Sequence, residues 1–142
     1  MQEGRRSVLD GIPRRLPALQ RALRVQQRAS AVGFDWKTGA GALRKVAEEA
    51  REASRARTAR AREDEFGDLL FALVNAARFA GVDPEHALRG SVDRFDARFR
   101  YIERQVARKG IGPRETTLAV MDGLWEEAKG RERARHTGRT RR

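Results

Sequence analysis

Residues 63–80 read EDEFGDLLFALVNAARFA, and this stretch decides the fold class. Its apolar side chains cover most sides of an α-helix and do not alternate with period two, so the pattern predicts a helix from about Glu63 to Ala80 that is surrounded by packing partners. Two acids interrupt this pattern, because Glu65 lies within the apolar arc and Asp68 lies one turn later at its border. A carboxylate that faces a core is destabilising unless it is paired or bound to a metal.

The sequence on either side of this stretch predicts more helices and no strand of period two. Capping residues, glycine stops and apolar stripes predict four further helices. The first runs from about Pro17 to Ser30, and the second carries the apolar stripe Leu43, Val46, Ala47, Ala50 and Ala53. Another runs from Asp83-Pro84 to near Gly110 and carries the stripe Leu88, Val92, Phe95, Phe99, Ile102 and Val106, and the last begins after Thr116 or Thr117. Residues 33–36 read as a loop, and we expect Trp36 to pack in the core or against a second copy of the chain. The fold class is therefore all-α, a bundle of four to five helices.

Composition limits the size of the core and the classes of function. The 142 residues suffice for one domain, and aromatic residues make up only 6% of them. A core this poor in large side chains is often completed by pairing with a second copy. There is no cysteine for a disulfide or a thiolate metal site. The longest apolar run, residues 69–74, is far shorter than a membrane span, so we expect a cytoplasmic protein without a membrane partner.

The net charge of +11 lies at the two ends of the chain. Residues 1–30 carry +5, residues 129–142 carry +6, and residues 31–128 sum to zero. We therefore expect a basic N-terminal segment with the first helix over 1–30, a folded helical domain over 31–128, and a disordered basic tail over 129–142. Nucleic acid is not expected as a partner, except non-specifically through the basic ends.

The second helix offers acids that match those of the third. Glu49 and Glu52 flank its apolar stripe at positions i and i+3, with Glu48 beside them. If the two helices pack antiparallel, Glu49 and Glu52 can converge with Glu65 and Asp68. Four carboxylates without histidine or cysteine make an all-oxygen site that suits Mg²⁺ or Mn²⁺. The alternative is that these acids form salt bridges to the abundant arginines.

The spacing of these acids resembles that of a known family. Residues 48–52 read EEARE and residues 65–68 read EFGD, the patterns EExxE and ExxD of the MazG family of nucleoside triphosphate pyrophosphohydrolases, which are all-α proteins. Residues 32–36, 67–78 and 95–103 and the pair Leu124-Trp125 continue the similarity, which covers about residues 16–128. In many relatives two such domains occur in tandem, and this chain resembles the C-terminal one, with residues 1–30 similar to the inter-domain linker.

The resemblance implies an activity and a set of site residues. The activity is hydrolysis of an NTP or dNTP to the monophosphate and pyrophosphate by a homodimer that removes nonstandard or surplus nucleotides. By the resemblance, Glu49, Glu52, Glu65 and Asp68 hold Mg²⁺, and Glu48 contacts substrate and orients or deprotonates the attacking water. The residues implied in substrate binding are Lys45, Glu48, Arg62, Arg94, Arg98 and Trp125.

Two departures from the family pattern keep other interpretations open. Val92 replaces an asparagine that is common in the family, and the stretch between the two acidic motifs is short. These features favour a degenerate relative that binds nucleotides or a partner with little turnover. The basic ends favour a second alternative, a helical nucleic-acid-binding protein. Outside the family context, the arginines form surface salt bridges and Trp125 packs against Met121 and Leu118.

Overall fold

Five α-helices account for most of residues 7–139, which are the residues that the computed structural model describes. In chain order they are α1 (Ala18–Ala31), α2 (Gly39–Arg55), α3 (Ala59–Phe79), α4 (Pro84–Arg108) and α5 (Leu118–Arg139). None of the described residues forms a β-strand. The predicted all-α class is therefore confirmed.

Side chains before each of four helices cap its free backbone N–H groups. Thr38 accepts a hydrogen bond from the Gly41 backbone N–H, and Thr58 does the same for Ala61, at distances of 3.2 and 3.1 Å. Asp83 and Thr117 cap α4 and α5 in the same way. A cap of this kind satisfies a donor that has no partner within the helix. Thr58 starts α3 four residues earlier than the apolar pattern predicted.

Positive-φ glycines end two of the helices. Gly81 has a φ of +70° and follows α3, and Gly110 has a φ of +68° and follows α4. Glycine adopts this left-handed conformation without the steric cost that a Cβ atom brings. Both helix ends therefore lie where the sequence predicted them.

The chain divides into two compact units, and the first extends to Leu88. In this unit α2 and α1 each pack against α3. Only three residues connect α2 to α3, so the two helices form an antiparallel hairpin. The buried apolar side chains are small: Ala42, Ala53, Ala72 and Val74. The thin core that the composition predicted is thus present.

The second unit begins at Arg89 and contains most of α4 and all of α5. Its core is a cluster of Ile102, Val106 and Leu124, against which Met121 and Trp125 pack. The alternative of core packing for Trp125 is supported at Met121, which packs against the same cluster, while Leu118 is exposed. The predicted apolar stripe of α4 is buried only at its C-terminal end, at Ile102 and Val106. Its N-terminal part, including Val92 and Phe95, is exposed.

Helix α3 is not enclosed on all sides within the single chain. Phe66, Leu70 and Leu73 recur on one face and are 54%, 53% and 46% exposed. Within the first unit, α1 and α2 pack against α3 and leave this face exposed, so the prediction that α3 is surrounded by partners is wrong there. The uncovered face is rich in large apolar side chains.

The basic C-terminal region is helical as far as Arg139, because α5 continues past Ala128. The sequence had predicted a disordered tail from residue 129. Residues 1–6 of the predicted N-terminal segment and residues 140–142 of the predicted tail lie outside the described residues. The predicted domain boundaries stay a prediction. No helix among residues 7–139 is both long and apolar enough to cross a membrane.

Candidate active site

Three carboxylates from two helices meet in the first unit. Glu49 of α2 and Glu65 and Asp68 of α3 each place one oxygen within 4.8 Å of the other two. The antiparallel hairpin produces this meeting, since it sets the middle of α2 beside the first turns of α3. Glu49 is only 7% exposed, Glu65 is half-buried and Asp68 is exposed. The predicted convergence of Glu49, Glu65 and Asp68 is present in the structure.

The electrostatics of this cluster disfavour its negative charge. Desolvation raises the pKa of Glu65 above its ordinary value, and repulsion from Glu49, Glu52, Asp68 and Asp64 raises it further. Like charges that cannot separate destabilise one another unless a cation joins them. The cluster therefore has an electrostatic demand for positive charge.

Part of that demand is met by Lys45, one turn before Glu49 on α2. Its Nζ atom lies 2.7 Å from Glu49 Oε1 and 3.4 Å from Glu48 Oε1. The hydrogen bond to Glu49 is the main reason that the pKa of Lys45 lies above its ordinary value. The amine thus acts as an internal counter-ion for Glu49. Sequence reasoning placed Lys45 near the substrate but did not foresee this ion pair.

The three oxygens suit a small hard cation. In an Mg²⁺ shell with bonds of about 2.0–2.1 Å, neighbouring and opposite oxygens lie about 3–4.2 Å apart. A group of oxygens within 4.8 Å of one another needs only a small inward movement to match that shell. The donor set contains only carboxylates, which Mg²⁺ and Mn²⁺ prefer. Glu52, the fourth predicted ligand, is not a member of this three-residue group.

A cavity of about 780 Å³ adjoins the carboxylates. The polar, charged and aromatic residues that line it include Gln26, Phe34, Trp36, Lys45, Glu49, Asp68, Phe71, Asn75 and Arg78. Its volume falls in the range of about 300–1,000 Å³ typical of small-molecule sites. Trp36 lines this cavity and is 47% exposed, so it does not pack in the core, and its packing against a second copy stays a prediction.

Sequence reasoning missed Gln26, Asn75 and Arg78. One signal was present for Asn75, which interrupts the apolar run of α3 as Glu65 does. A similar signal was present for Gln26, which follows Val25 and is a polar residue on the apolar side of α1. Arg78 gave no such signal, because arginine is frequent throughout this chain.

An ion pair holds the loop between α1 and α2 against α3. The Asp35 carboxylate accepts hydrogen bonds from the Arg78 guanidinium and from the Ser30 hydroxyl. Arg78 also donates to the side-chain oxygen of Asn75 at 2.8 and 3.0 Å. The bond from Arg78 is the largest reason that the pKa of Asp35 lies below its ordinary value. This network positions the segment that carries Phe34 and Trp36.

Three of the predicted substrate-binding residues lie in the second unit. Arg98 donates three hydrogen bonds of 2.8–3.2 Å to Glu132, and its guanidinium lies over the Trp125 ring at 5.1 Å. Trp125 also contacts the Phe95 ring, with 5.5 Å between the ring centres. Arg94 donates to the Ser91 hydroxyl. The substrate roles of Arg94, Arg98 and Trp125, and of the exposed Arg62 on α3, stay predictions.

Comparison with known proteins identifies several relatives of the chain. The chain is 45% identical over 115 residues to a protein of Thermotoga maritima named nucleoside triphosphate pyrophosphohydrolase/pyrophosphatase MazG, and the match covers 81% of the chain and 45% of that protein. It is 43% identical over 136 residues to the nucleoside triphosphate pyrophosphohydrolase of Escherichia coli K12, covering 92% of the chain and 52% of the relative. The uncharacterized protein YabN of Bacillus subtilis is 51% identical over 69 residues, which are 49% of the chain and 14% of YabN.

The matches cover most of the chain but a smaller share of each relative. No family model matches the chain. The chain spans about half the length of the MazG relatives that it matches. The matches nevertheless extend over 115 and 136 residues of the chain, so both acidic motifs, which lie near its middle, fall within them. The MazG resemblance of the acidic motifs is thus matched by relatives that are 43–45% identical over most of the chain.

Proposed function

We propose that this protein is an Mg²⁺-dependent nucleoside triphosphate pyrophosphohydrolase and that residues 31–128 form its catalytic domain. The observation that carries the proposal is the meeting of Glu49, Glu65 and Asp68 beside a cavity of nucleotide size. The names of the relatives, which are nucleoside triphosphate pyrophosphohydrolases, support the same activity. Surplus or nonstandard NTPs and dNTPs are the proposed substrates.

The residues of the site divide the work of phosphate chemistry. Glu49, Glu65 and Asp68, joined by Glu52, would hold the cation. When bound, Mg²⁺ supplies charge neutralisation for the phosphates and orientation for a water molecule. Lys45 can exchange its bond to Glu49 for one to a substrate phosphate, since its amine already lies at the cluster. The roles proposed for Arg62, Arg94, Arg98 and Trp125 rest on the family resemblance.

Glu48 is the proposed base of the reaction. Its side chain is exposed and lies beside Lys45 rather than among the three clustered acids. A carboxylate in this position can accept the proton of the attacking water as the water oxygen bonds to phosphorus. The bond between the α- and β-phosphates then breaks, and the products are a nucleoside monophosphate and pyrophosphate.

A homodimer is the proposed assembly. The exposed apolar face of α3, formed by Phe66, Leu70 and Leu73, supports it, because such a face is unfavourable in water. A second copy that covered this face would also complete the partners that the pattern of α3 predicts. The proposal includes a cytoplasmic location, where nucleoside triphosphates are supplied.

Product analysis tests the proposed reaction. The purified protein is incubated with a panel of NTPs and dNTPs in the presence of Mg²⁺, Mn²⁺ or EDTA, and the phosphate products are identified. We expect monophosphate and pyrophosphate with either metal and none with EDTA. Orthophosphate with a diphosphate would contradict the proposed chemistry. Binding of nucleotides without products would instead support the degenerate relative considered above.

A further inference from the structure

Gln26 lines the cavity and carries a buried polar atom without a hydrogen-bond partner among the described residues. This residue of α1 is 7% exposed and lines the cavity together with Phe71. Its side-chain Nε2 donates a hydrogen bond of 2.9 Å to the backbone carbonyl of Phe71. Its Oε1 is closed to water and has no hydrogen-bond partner among the described residues. The donor of this amide is thus committed, and its acceptor is not.

A buried acceptor without a donor destabilises a folded protein, and native structures contain few of them. The bond to Phe71 fixes the orientation of the amide, since the reversed amide would set its oxygen against the Phe71 carbonyl. Asn75, the other amide of the cavity, is arranged differently. Its side-chain oxygen already accepts two hydrogen bonds from Arg78. Of these two amides, Gln26 is therefore the one whose oxygen has no hydrogen-bond donor among the described residues.

The surroundings of Gln26 suit a nucleobase. Phe34, Trp36 and Phe71 supply aromatic groups to the cavity, and aromatic side chains stack on the flat face of any base. Lys45, Glu49 and Asp68 line the same cavity, so the phosphates of a nucleotide have a charged region and its base has an apolar one. Each of the four standard bases carries an N–H donor on its pairing edge.

We propose that Gln26 Oε1 accepts a hydrogen bond from an N–H group of the substrate's nucleobase and so fixes the base within the cavity. The inference rests on the proposed function and adds to it the binding site of the nucleobase. Because all standard bases offer an N–H, this contact favours a base that has the donor over an analogue that lacks it. It does not by itself choose one standard base over another.

A substrate analogue tests the contact in the unmodified protein. Purine riboside triphosphate is ATP without its amino group, and 3-methyluridine triphosphate is UTP with a methyl group in place of the N3 hydrogen. KM and kcat are measured for both pairs, and equilibrium binding is measured by competition with a fluorescent nucleotide. We expect the analogue of at least one pair to bind about tenfold more weakly, mainly through KM, as the loss of one hydrogen bond to a buried acceptor implies.

The variant Gln26→Met tests the residue, because methionine has a similar volume and no amide. We expect it to remove the preference for the natural nucleotide over its analogue and to leave the analogue's KM nearly unchanged. Inhibition by inorganic tripolyphosphate, which has no base, should also stay unchanged. The control is Gln27→Met, an exposed neighbour on α1, which should keep the preference. Thermal unfolding of both variants checks that they fold.

The outcomes separate this inference from the proposed reaction. Equal binding of natural nucleotides and analogues by the unmodified protein overturns the inference, and so does a preference that survives Gln26→Met. If the protein binds the natural nucleotide more tightly than its analogue but hydrolyses neither, the proposed reaction is overturned and the contact between Gln26 and the base is supported. Absence of any nucleotide binding overturns both.

Discussion

Among single residues, Glu65 combines a structural disadvantage with a proposed functional use. It is half-buried beside other acids, and its pKa is raised by desolvation and by their repulsion. Glu63 and Asp64 precede it on the same helix and are exposed to water. The difference between neighbouring acids comes from which side of α3 each one occupies.

Replacement of Glu65 by glutamine should abolish metal-dependent turnover and still allow folding. We expect the loss of kcat to be about 100-fold or more, since even residues that only support a metal ligand contribute about 10–100-fold. Steady-state hydrolysis with Mg²⁺ measures it. Glu63→Gln is the matched control and should keep its rate. Full activity of the Glu65 variant would remove this residue from the site.

The same replacement should stabilise the protein when EDTA has removed the metal. A carboxyl group whose pKa is raised by folding favours the folded state only while it stays protonated, and this advantage is lost as the pH rises through the folded-state pKa. Glu65→Gln should therefore raise the Tm at pH 7, with a difference that shrinks as the pH falls toward the ordinary glutamate value of 4.5. Calorimetry at several pH values measures this. A lower Tm at pH 7 would contradict it.

Lys45 should compete with the metal for the carboxylates. Its amine lies 2.7 Å from Glu49, so Lys45→Met removes the internal counter-ion. We expect tighter Mn²⁺ binding to the free protein, by a few-fold to about tenfold, because opposite charges interact strongly at a partly dehydrated site. Titration calorimetry measures the affinity, and the KM for nucleotides should rise in the same variant. Lys37→Met, at an exposed position, should change neither quantity. Weaker metal binding would show that Lys45 supports the cation rather than replacing it.

At the level of structural elements, the α2–α3 hairpin forms the carboxylate cluster and the α1–α2 loop forms part of the cavity. Capping by Thr38 and Thr58 sets where α2 and α3 begin, and hence which side chains face each other. The loop depends on one long-range ion pair, between Asp35 and Arg78, which are 43 residues apart in the sequence. Its geometry therefore depends on α3 as much as on the loop's own residues.

Replacement of Asp35 by asparagine should loosen this loop. The pKa of Asp35 is lowered, chiefly by the bond from Arg78, so its stabilising effect is present above its ordinary value of 3.8 and is lost as the pH falls through the lower folded-state pKa. At pH 7 we expect faster hydrogen exchange over residues 33–38 in Asp35→Asn, with a smaller difference in acid. Mass spectrometry of deuterium uptake measures it. Asp93→Asn, an exposed change on α4, should leave the loop as protected as before.

For the whole molecule, the main feature is how little large apolar surface a single copy buries. The fully buried residues of the first unit are small, while Phe66, Leu70 and Leu73 on α3 are exposed. A hydrophobic face of this kind contributes to stability only when another surface removes it from water. The stability of the chain is therefore expected to depend on its concentration.

Replacement of Leu70 by glutamate should break the proposed homodimer. A charge on the exposed α3 face would be desolvated if a second copy covered it, which is strongly unfavourable. We expect the unmodified protein to elute as a dimer and Leu70→Glu as a monomer in size-exclusion chromatography with light scattering. Ser54→Glu, on the exposed part of α2, is the control and should remain dimeric. A monomeric unmodified protein at micromolar concentration would contradict the proposal.

The sequence alone determined the helices and the identity of the acidic motifs. Helix boundaries depend on local chemistry, since a threonine cap at Thr58 or a positive-φ glycine at Gly81 acts within a few residues. Glu65 was also predictable from local sequence, because the helical period places it among apolar neighbours. The clustering of Glu49, Glu65 and Asp68 followed from one further assumption, that α2 and α3 pack antiparallel.

Only the tertiary structure decided what each side chain meets across the fold. It paired Lys45 with Glu49, left Glu52 outside the three-carboxylate group, and placed Trp36 in the lining of a cavity instead of in the core. It also placed Gln26 against Phe71, 45 residues away, with its oxygen unpaired. The physical reason is that periodicity defines the face of a helix on which a residue lies, whereas distances and hydrogen bonds between helices depend on how several elements pack together.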